Sequence, residues 1–487
     1  MITGLLFLIP LLATPWVMAS TGDRAIWRNA LIASLIEFFA SLLIFLEFRN
    51  SGASELIISF PWISSIGVHF SFGMDGLSVL LVLLTTFLTP IIILASSGFN
   101  ARRLNIYYGL ILLMEMAMIG VFTARDGLVF YLFWEMALIP IYFITAIWGG
   151  ANRIRITFKF LIYTLSGSLI MLVALIYVYY QTPYPHSFDF QALYHASLTI
   201  EAQRWVFAAF FLAFAIKIPI FPFHTWQPDT YTEAPAASSM LLAGIMLKMG
   251  IYGILRLLIP LCPLAFGDLA LPAILLSVTG IIYASIIAIR QKDLKRMVAY
   301  ASIAHVGLIA AGLFSLKDIA LQGAVIQMFS HGINVVGLFI LIDIIENRFH
   351  SRRIDHLGGI AQSMPRFSII FLIILLGSIA LPLTNGFVGE FLLLLGLFQY
   401  SPWLSLAAGS TIIFGAVYML WMYQRVMYGN LPERRVEKAA DLSINEMFAL
   451  IPLVIMVLWI GWYPKHFLQI AEPAIQSILN IAFALPG

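Results

Sequence analysis

The chain has 487 residues, of which 61% are hydrophobic and 10% charged, with a formal net charge of +3 and a mean hydropathy of +0.96. Soluble domains carry about 25% charged residues, so this composition excludes a soluble globular protein and indicates a chain whose solvent is lipid. The single cysteine, Cys262, excludes an internal disulfide and a cysteine-ligated iron–sulfur cluster.

Apolar segments long enough to cross a bilayer follow one another along almost the whole chain. A spanning helix needs about 20 apolar residues, and the sequence contains about fourteen such segments. They lie near 3–18, 29–46, 76–98, 106–123, 127–148, 157–180, 205–223, 235–258, 270–289, 297–314, 319–345, 367–399, 403–425 and 446–463. The predicted fold class is therefore an all-α polytopic membrane protein.

The basic residues of the connecting loops predict the orientation. With alternating crossings, one set of loops carries most of the Arg and Lys residues, in clusters at 102–103, 153–159, 290–296, 348–353 and 434–438. The opposite set carries only Arg49, Arg125, Arg204, Arg256, Lys317 and Lys465. The positive-inside rule places the first set in the cytoplasm, and an even number of crossings then places both termini on the outer face.

No low-complexity linker divides the chain, which we therefore interpret as one domain made of four segments. Residues 1–104 hold the first three helices and an outer loop, 105–258 and 259–430 hold two repeats, and 431–487 hold the last helix and a tail. The outer loop near 47–75 alternates in polarity, which predicts a small strand hairpin.

The seventh and twelfth predicted helices contain helix-breaking residues. Lys217 is followed by Ile-Pro-Ile-Phe-Pro, and residues 380–390 read ALPLTNGFVGE. Proline removes a backbone donor, and such a break is tolerated at membrane depth only where protein or water satisfies the freed carbonyls. A single break of this kind would be explained by a simple packing kink. Two breaks five helices apart favour inverted repeats, helices 4–8 and 9–13, with an ion site at the midplane.

Glu135 and Lys217 lie at mid-depth in two of these helices. A charge in hydrocarbon costs about 2.5–3.5 kcal/mol even on lenient scales. Adjacent opposite charges keep each other ionised, whereas separation favours the neutral forms. A pair that opens and closes would therefore switch a proton. The alternative is a static buried salt bridge, which contributes little to stability.

Lys248 and Glu390 are also mid-span, and they bracket two histidines of consecutive helices, His305 and His331. A buried lysine without an acidic partner tends to be neutral or to lie beside water, and histidine passes protons near neutral pH. We interpret the four as a proton relay. The histidines have two other interpretations, as hydrogen-bonded core residues or as haem ligands, but no paired spacing indicates haem.

Further acidic groups have open roles. Glu115 lies one helix before Glu135 and is an alternative partner for the same site, whereas Glu37 lies outside the repeats and is expected to face a neighbouring subunit. The stretch HTWQPDTYTEAPAASS brings His224, Asp229 and Glu233 to the cytoplasmic side without a Lys or Arg. It is either an acidic mouth that collects protons or a solvated loop.

Four stretches carry a specific family resemblance. They are FWEMALIPIYFITAIWG, AIKIPIFPFHTWQPDTYTEAPAASSMLLAGIMLKMGIYGILR, QKDLKRMVAYASIAHVG and NGFVGEF. Over roughly 105–430 the chain resembles the antiporter-like membrane subunits of respiratory complex I. The resemblance implies a fourteen-helix core with broken helices 7 and 12. It also implies proton translocation coupled to NADH:quinone oxidoreduction, with pumping residues at Glu135, Lys217, Lys248 and Glu390 and with His305 and His331 on the connecting axis.

Within that family, three features favour the M-type (chain 4) branch. A glutamate, Glu390, follows the second break where other branches look as if they use lysine, no long lateral helix follows helix 14, and the first repeat is complete. The resemblance implies neighbours of the L and N types in the membrane arm, contact with the lipid bilayer and not with nucleic acid, and a bacterial inner membrane location.

The chain shows no Walker loop, dinucleotide fingerprint or CxxC motif, so no cofactor or metal is expected here. The resemblance places FMN, iron–sulfur clusters and quinone in partner subunits, which makes this chain one subunit of a redox-driven translocase. The alternatives are an Mrp-type Na⁺/H⁺ antiporter subunit, a subunit of a membrane-bound hydrogenase or of a photosynthetic complex I relative, and a structural membrane scaffold.

Overall fold

The computed structural model describes residues 2–51, 56–99, 101–429 and 439–483. Within these ranges, eleven helices are long and apolar enough to cross a membrane. Shorter or interrupted helices account for the other predicted segments, at Leu5–Ala19, around 200–233 and around 365–400. The predicted all-α polytopic fold is confirmed, whereas the number of crossings and the inverted repeats stay predictions.

The first part of the chain contains seven helices and one hairpin. The helices are Leu5–Ala19, Asp23–Asn50, Gly76–Ala95, Leu104–Thr123, Gly127–Met136, Leu138–Trp148 and Arg153–Tyr180. The strands Leu56–Ile63 and Val68–Met74 pair antiparallel, from Leu56 opposite Met74 to Ile63 opposite Val68. The hairpin predicted for this outer loop is confirmed.

The central and last parts are entirely helical where described. The central helices are Phe190–Tyr194, Ile200–Lys217, Trp226–Glu233, Ala236–Leu261, Pro263–Arg290, Leu294–Phe314 and Asp318–Phe349. The last helices are Ile360–Ser363, Pro365–Ser378, Asn385–Tyr400, Pro402–Met427, Ile444–Trp462 and Lys465–Phe483.

Several helices begin at an acidic side chain that satisfies free backbone N–H groups. Asp75 accepts a hydrogen bond from Ser78 N (3.0 Å), and Asp293 accepts one from Arg296 N (3.0 Å). Asp126 does the same for the helix that carries Glu135. Such caps typically contribute about 1 kcal/mol each, and here they fix where the charged helices start.

The buried helices form the centre of the bundle. Helices 104–123, 236–261, 294–314 and 318–349 are buried along almost their whole length, and other helices surround them. Helices 153–180 and 402–427 in this outer layer expose one face. The ionisable residues of the inner helices are therefore shielded from lipid by protein.

The last helix, Lys465–Phe483, lies in the part predicted only as a tail. It packs against helices 318–349 and 76–95, and its backbone approaches so closely that a Cβ on Gly76 would lie 1.7 Å from Ile470 O. The residues buried on its inner face are Phe467, Ala471, Ala474, Ile475, Ile478 and Leu479. These follow the spacing of an amphipathic helix, a pattern that a search for continuous apolar runs does not detect.

Both predicted breaks are present, at 218–225 and 379–384. In the second break, Ala380 and Leu383 adopt positive φ angles of 57° and 73°. Non-glycine residues in this region cost about 1–3 kcal/mol each and cluster at functional sites. The packing around the second break must therefore stabilise these two unfavourable backbone conformations.

Helix 236–261, which carries Lys248, has two irregularities that the sequence did not predict. Its turns Leu242–Met246 and Ile254–Leu258 are π-helical and flank Lys248 on both sides. The helix of Glu135 is also interrupted, at Ala137. Single π turns occur mostly at functional sites, so these departures indicate where the function of the bundle lies.

We expect Gly386→Ala to destabilise the protein strongly, because a Cβ at Gly386 would lie 2.1 Å from Gly377 O across the second break. Overpacking of this kind costs about 1–3 kcal/mol or more. The measurement is the aggregation temperature of the detergent-solubilised protein. Gly267→Ala is the matched control, since nothing lies within 4 Å of its added Cβ. Equal aggregation temperatures for both variants would contradict the proposed packing.

Candidate functional site

Lys217 forms the C-terminal residue of helix 200–217, directly before the first break. Its side chain is buried, and Nζ lies 4.8 Å from the centre of the Trp134 ring. A helix C-terminus favours a cation, and the face of an indole attracts one. The stem of Lys217 packs on helix 236–261, since a Cβ added at Gly250 would lie 3.3 Å from Lys217 Cβ.

Glu135 adjoins Trp134 and is half-buried. Lys217 and Ser168 are the charged and polar groups that act on its carboxylate, yet Lys217 Nζ has no hydrogen-bond partner among the residues that the structure describes. The predicted contact pair of Glu135 and Lys217 is therefore separated, and the Trp134 ring lies over the ammonium instead. The charges of Glu135 and Lys217 therefore interact without a direct hydrogen bond between the two side chains.

Lys248 is fully buried and turns back along its own helix. Its Nζ donates a hydrogen bond to Ala243 O (2.7 Å), a carbonyl of the π turn, and lies 2.9 Å from His331 Nδ1. No carboxylate forms an ion pair with it among the described residues. In a regular helix, the carbonyl of Ala243 would accept a backbone hydrogen bond. In the π turn it accepts one from Lys248 Nζ, which holds the ammonium next to His331.

His331 connects helix 318–349 to two further polar groups. Its Nε2 lies 3.0 Å from Ser302 Oγ, and Gln227 Nε2 lies 3.5 Å from the same hydroxyl. Both ring nitrogens of His331 are thus within hydrogen-bond reach of a polar partner. A histidine held on both sides can accept a proton at one nitrogen and release one at the other.

Glu390 follows the second break and contacts the other histidine. Its Oε1 lies 2.7 Å from His305 Nδ1 and 3.4 Å from Gln327 Nε2. The remaining atoms, His305 Nε2 and Glu390 Oε2, are buried and have no hydrogen-bond partner within the described ranges. Buried polar atoms of this kind are normally satisfied by protein or water.

A small cavity separates the two histidine pairs. Its volume is about 10 Å³, close to the space that one water molecule requires, and its lining includes Ser302, His305, Gln327, His331 and Asn334. The ring centroids of His305 and His331 are 6.4 Å apart. One water in this cavity would reach polar atoms of both pairs.

The second break is tied to the same region through Asn385. Ser330 Oγ donates to Asn385 O (3.0 Å), and Asn334 Nδ2 donates to Asn385 Oδ1 (3.1 Å). The break therefore presents polar backbone and amide groups to the helix of His331. The polar side chains from Lys248 to Glu390 thus form two hydrogen-bonded groups in the centre of the bundle, and His331 of one and His305 of the other line the cavity between them.

The family model described as "NADH:quinone oxidoreductase/Mrp antiporter, TM" matches residues 124–415. The chain belongs to this family. The matched range includes Glu135, Lys217, Lys248, His331 and Glu390.

Full-length relatives define the type of subunit. The "NADH-quinone oxidoreductase subunit M" of Rickettsia conorii is 40% identical over 97% of both chains. The "NADH-ubiquinone oxidoreductase chain 4" of Chondrus crispus is 38% identical and covers 93% of this chain and 92% of its own length. A chain in the structure "Respiratory complex I from Thermus thermophilus with bound NADH" is 31% identical, with a TM-score of 0.91 over 99% of this chain and 100% of that chain. The chain is an antiporter-like complex I subunit of the M (chain 4) type and a multi-pass membrane protein.

Glu37 does not face outward, contrary to the expectation from the sequence. It is 1% exposed and faces Glu115 on helix 104–123, and the four carboxylate oxygens of the pair are buried. Ser34, Glu37 and Ser41 share one stripe of helix 23–50, and this stripe packs inward. Glu115 thus lies beside Glu37 and Thr89, not beside Glu135.

The segment 224–233, which includes helix Trp226–Glu233, is not an acidic surface free of bases, because other elements supply basic partners. Asp229 accepts hydrogen bonds from Lys159 Nζ (2.8 Å) and Arg296 Nη1 (3.1 Å). Glu233 accepts one from the backbone N–H of Asn152, and His224 stacks on the Phe221 ring. Lys159 and Arg296 are far from Asp229 in the sequence, so the stretch by itself did not reveal these basic partners.

Sequence reasoning missed several uncharged residues of the site. Trp134 and Ser302 are flanked by motif residues and could have been found from them. Gln227, Gln327 and Asn385 are amides in apolar or broken segments, and such amides usually signal a buried polar contact. Their partners lie 51 to 75 positions away in sequence, so only the packing of helices reveals them.

Proposed function

We propose that this chain transfers protons across the membrane through Glu135, Lys217, Lys248, His331, His305 and Glu390, driven by NADH:quinone oxidoreduction in partner subunits. The observation that carries the proposal is the arrangement of two buried pairs, Lys248 with His331 and His305 with Glu390, on either side of one small cavity. Ionisable groups inside a membrane bundle mark ion pathways by default, and two pairs of these groups, Lys248 with His331 and His305 with Glu390, lie within hydrogen-bond distance.

The proposed transfer follows the hydrogen bonds. A protonated Lys248 donates to His331 Nδ1, and its proton passes to that nitrogen when the local charge changes. A water in the cavity connects His331 with His305, whose Nδ1 faces Glu390 Oε1. The transfers from Lys248 to His331 and between His305 and Glu390 need only small movements, because their donor and acceptor atoms are already placed.

Glu135 and Lys217 would control the loading of this series. When Glu135 and Lys217 approach, both stay charged; when they are apart, a proton is released toward Lys248. Moving one charge through 100 mV costs about 2.3 kcal/mol. An ion pair at 4 Å gains about 4 kcal/mol at an effective dielectric constant of 20, so forming or breaking one pair can supply a step of that size.

Neighbouring subunits of the L and N types are the proposed source of that charge change. Glu135 is half-buried and borders an apolar groove lined by Leu138, Ile139, Tyr142 and Phe143. A carboxylate open to lipid is costly, so a subunit with a polar or cationic side chain is expected to cover this groove. FMN, iron–sulfur clusters and quinone are assigned to the partner subunits.

The proposed orientation follows the basic loops, with both termini outside and proton uptake from the cytoplasm of a bacterial cell. A polar cavity of about 840 Å³ supports uptake on the proposed cytoplasmic side, and its lining includes Glu233, Lys295, Asp343 and Glu346. An Mrp-type antiporter is the second candidate. The full-length relatives named as complex I subunits favour the first, and native purification with an NADH-driven proton uptake assay distinguishes the two.

We expect Lys217→Ala to lower the ratio of protons pumped to NADH oxidised in vesicles that contain the assembled complex. The matched control is Lys292→Ala, since Lys292 is an exposed lysine of a connecting loop. A Lys217→Ala complex that pumped at the normal ratio would contradict the proposed function.

A further inference from the structure

A cavity outside the proton series lies where helix 23–50 begins. Its volume is about 620 Å³, and its lining includes Arg24, Trp27, Arg28, Ser97 and Asn445. Trp27 Nε1 donates to Ile93 O (2.9 Å), which ties the start of this helix to the end of helix 76–95. The cavity walls are thus fixed by a contact between two helices, and the lining contains two cations and no acid.

Arg24 and Arg28 are exposed and make no ion pair or hydrogen bond with the described residues. Some other arginines at or near the ends of helices are neutralised, as Arg348 is by Glu446 (2.7 Å) and Arg352 by Asp293 (2.5 Å). Arg24 and Arg28 are four residues apart, so their guanidinium groups lie on one face of the helix. Together they form a cationic pair at the mouth of the cavity, with no acidic ion-pair partner in the part of the chain that the structure describes.

An exposed apolar stripe continues from the arginines along the same helix face. Its members are Ile32, Leu35, Ile36, Phe39, Leu43 and Leu46, which are each 37–60% exposed. From Arg28 to Phe39 the helix rises about 16 Å, which is about half the hydrocarbon thickness of a bilayer, or one leaflet. The helix therefore presents positive charge at one end and an apolar surface about as long as one leaflet is thick. This pattern matches the anionic headgroup and the acyl chains of a phospholipid.

We infer that this cavity and stripe bind a phospholipid with an anionic headgroup, whose phosphate lies between Arg24 and Arg28 and whose acyl chains follow helix 23–50. Arginine forks match phosphate oxygens, and basic pockets between transmembrane helices recognise anionic headgroups. Charge complementarity favours this occupant over a zwitterionic lipid, which would leave the paired guanidinium charges uncompensated.

The test uses the intact complex in vesicles doped with a phosphatidylglycerol that carries a photoreactive diazirine in its acyl chain. The matched probe is phosphatidylcholine with the same chain. After irradiation, mass spectrometry quantifies labelling of residues 32–46. We expect the anionic probe to label this segment preferentially, and the preference to fall by up to about 30-fold in the Arg24→Gln/Arg28→Gln variant.

The control is Arg155→Gln/Arg290→Gln, which removes two exposed arginines that make no ion pair with any described residue and do not line the cavity. It should keep the wild-type preference. Native gels verify equal assembly, and the single variants replace the double one if its assembly fails. Equal labelling by both probes overturns the inference, as does displacement by inorganic phosphate, which would indicate a free-anion site. Absence of labelling in the wild-type complex also overturns it, because another subunit or another part of this chain would then cover the stripe.

Discussion

Lys248→Met is expected to stop proton transfer through this subunit while leaving the complex assembled. Lys248 Nζ is the atom that connects the π turn to His331 Nδ1, at 2.7 Å from Ala243 O and 2.9 Å from the ring. Methionine has similar length and suits an apolar site, but it carries no proton. Loss of a positioned proton-transfer group typically costs about 100-fold or more. NADH-driven proton uptake in vesicles, divided by NADH oxidised, measures the result.

Lys248→Arg separates proton transfer from packing and charge. Arginine keeps the positive charge but stays protonated in proteins, so it is expected to block transfer as methionine does. Lys292→Met serves as the control at an exposed lysine. Normal pumping by Lys248→Arg would show that charge alone is required at this position and would exclude the relay.

Asp75→Asn is expected to destabilise the protein more than any exposed charge removal. Arg256, which was predicted to lie in an outer loop, is instead buried in a π turn of helix 236–261, and its Nη2 donates to both carboxylate oxygens of Asp75. Its guanidinium also lies 5.2 Å from the Tyr252 ring centre. Removing one partner leaves a buried charge uncompensated, which costs about 3–5 kcal/mol.

The measurement is the temperature at which half of the solubilised complex disassembles on native gels. Asp268→Asn is the control, since the Arg204–Asp268 pair is exposed and such pairs contribute about 0–1 kcal/mol. The double variant Asp75→Asn/Arg256→Met should recover part of the loss, because the buried guanidinium of Arg256 is removed together with its partner. An Asp75→Asn complex as stable as wild type would show that the pair makes no net contribution.

The same pair predicts a pH dependence. Burial by itself would raise the pKa of Asp75, but the charges of Arg256 and Arg125 outweigh it and hold the pKa at about 2. Because this lies below the ordinary value of 3.8, the stabilisation is fully present above that value and is lost as the pH falls through about 2. Wild type and Asp75→Asn should therefore differ in stability at neutral pH and converge only in strong acid.

Local sequence signals identified the parts of the fold that depend on nearby residues. Pro219 and Pro222 marked the first break, and Pro382, Asn385 and Gly386 marked the second, because proline and glycine act on the backbone where they stand. The alternating outer loop identified the hairpin for the same reason. The amphipathic helix at 465–483 was missed, since its apolar residues are spaced and not continuous.

The sequence by itself determined the membrane class, the family and the identity of the buried charged residues, because hydropathy and local motifs do not depend on long-range packing. Only the tertiary structure decided how these residues are paired. In the structure, Glu37 faces Glu115 and the Trp134 ring lies against the Lys217 ammonium. Lys248 contacts His331, and His305 contacts Glu390. Contacts between side chains depend on the rotation and register of whole helices, which the packing of the entire bundle fixes.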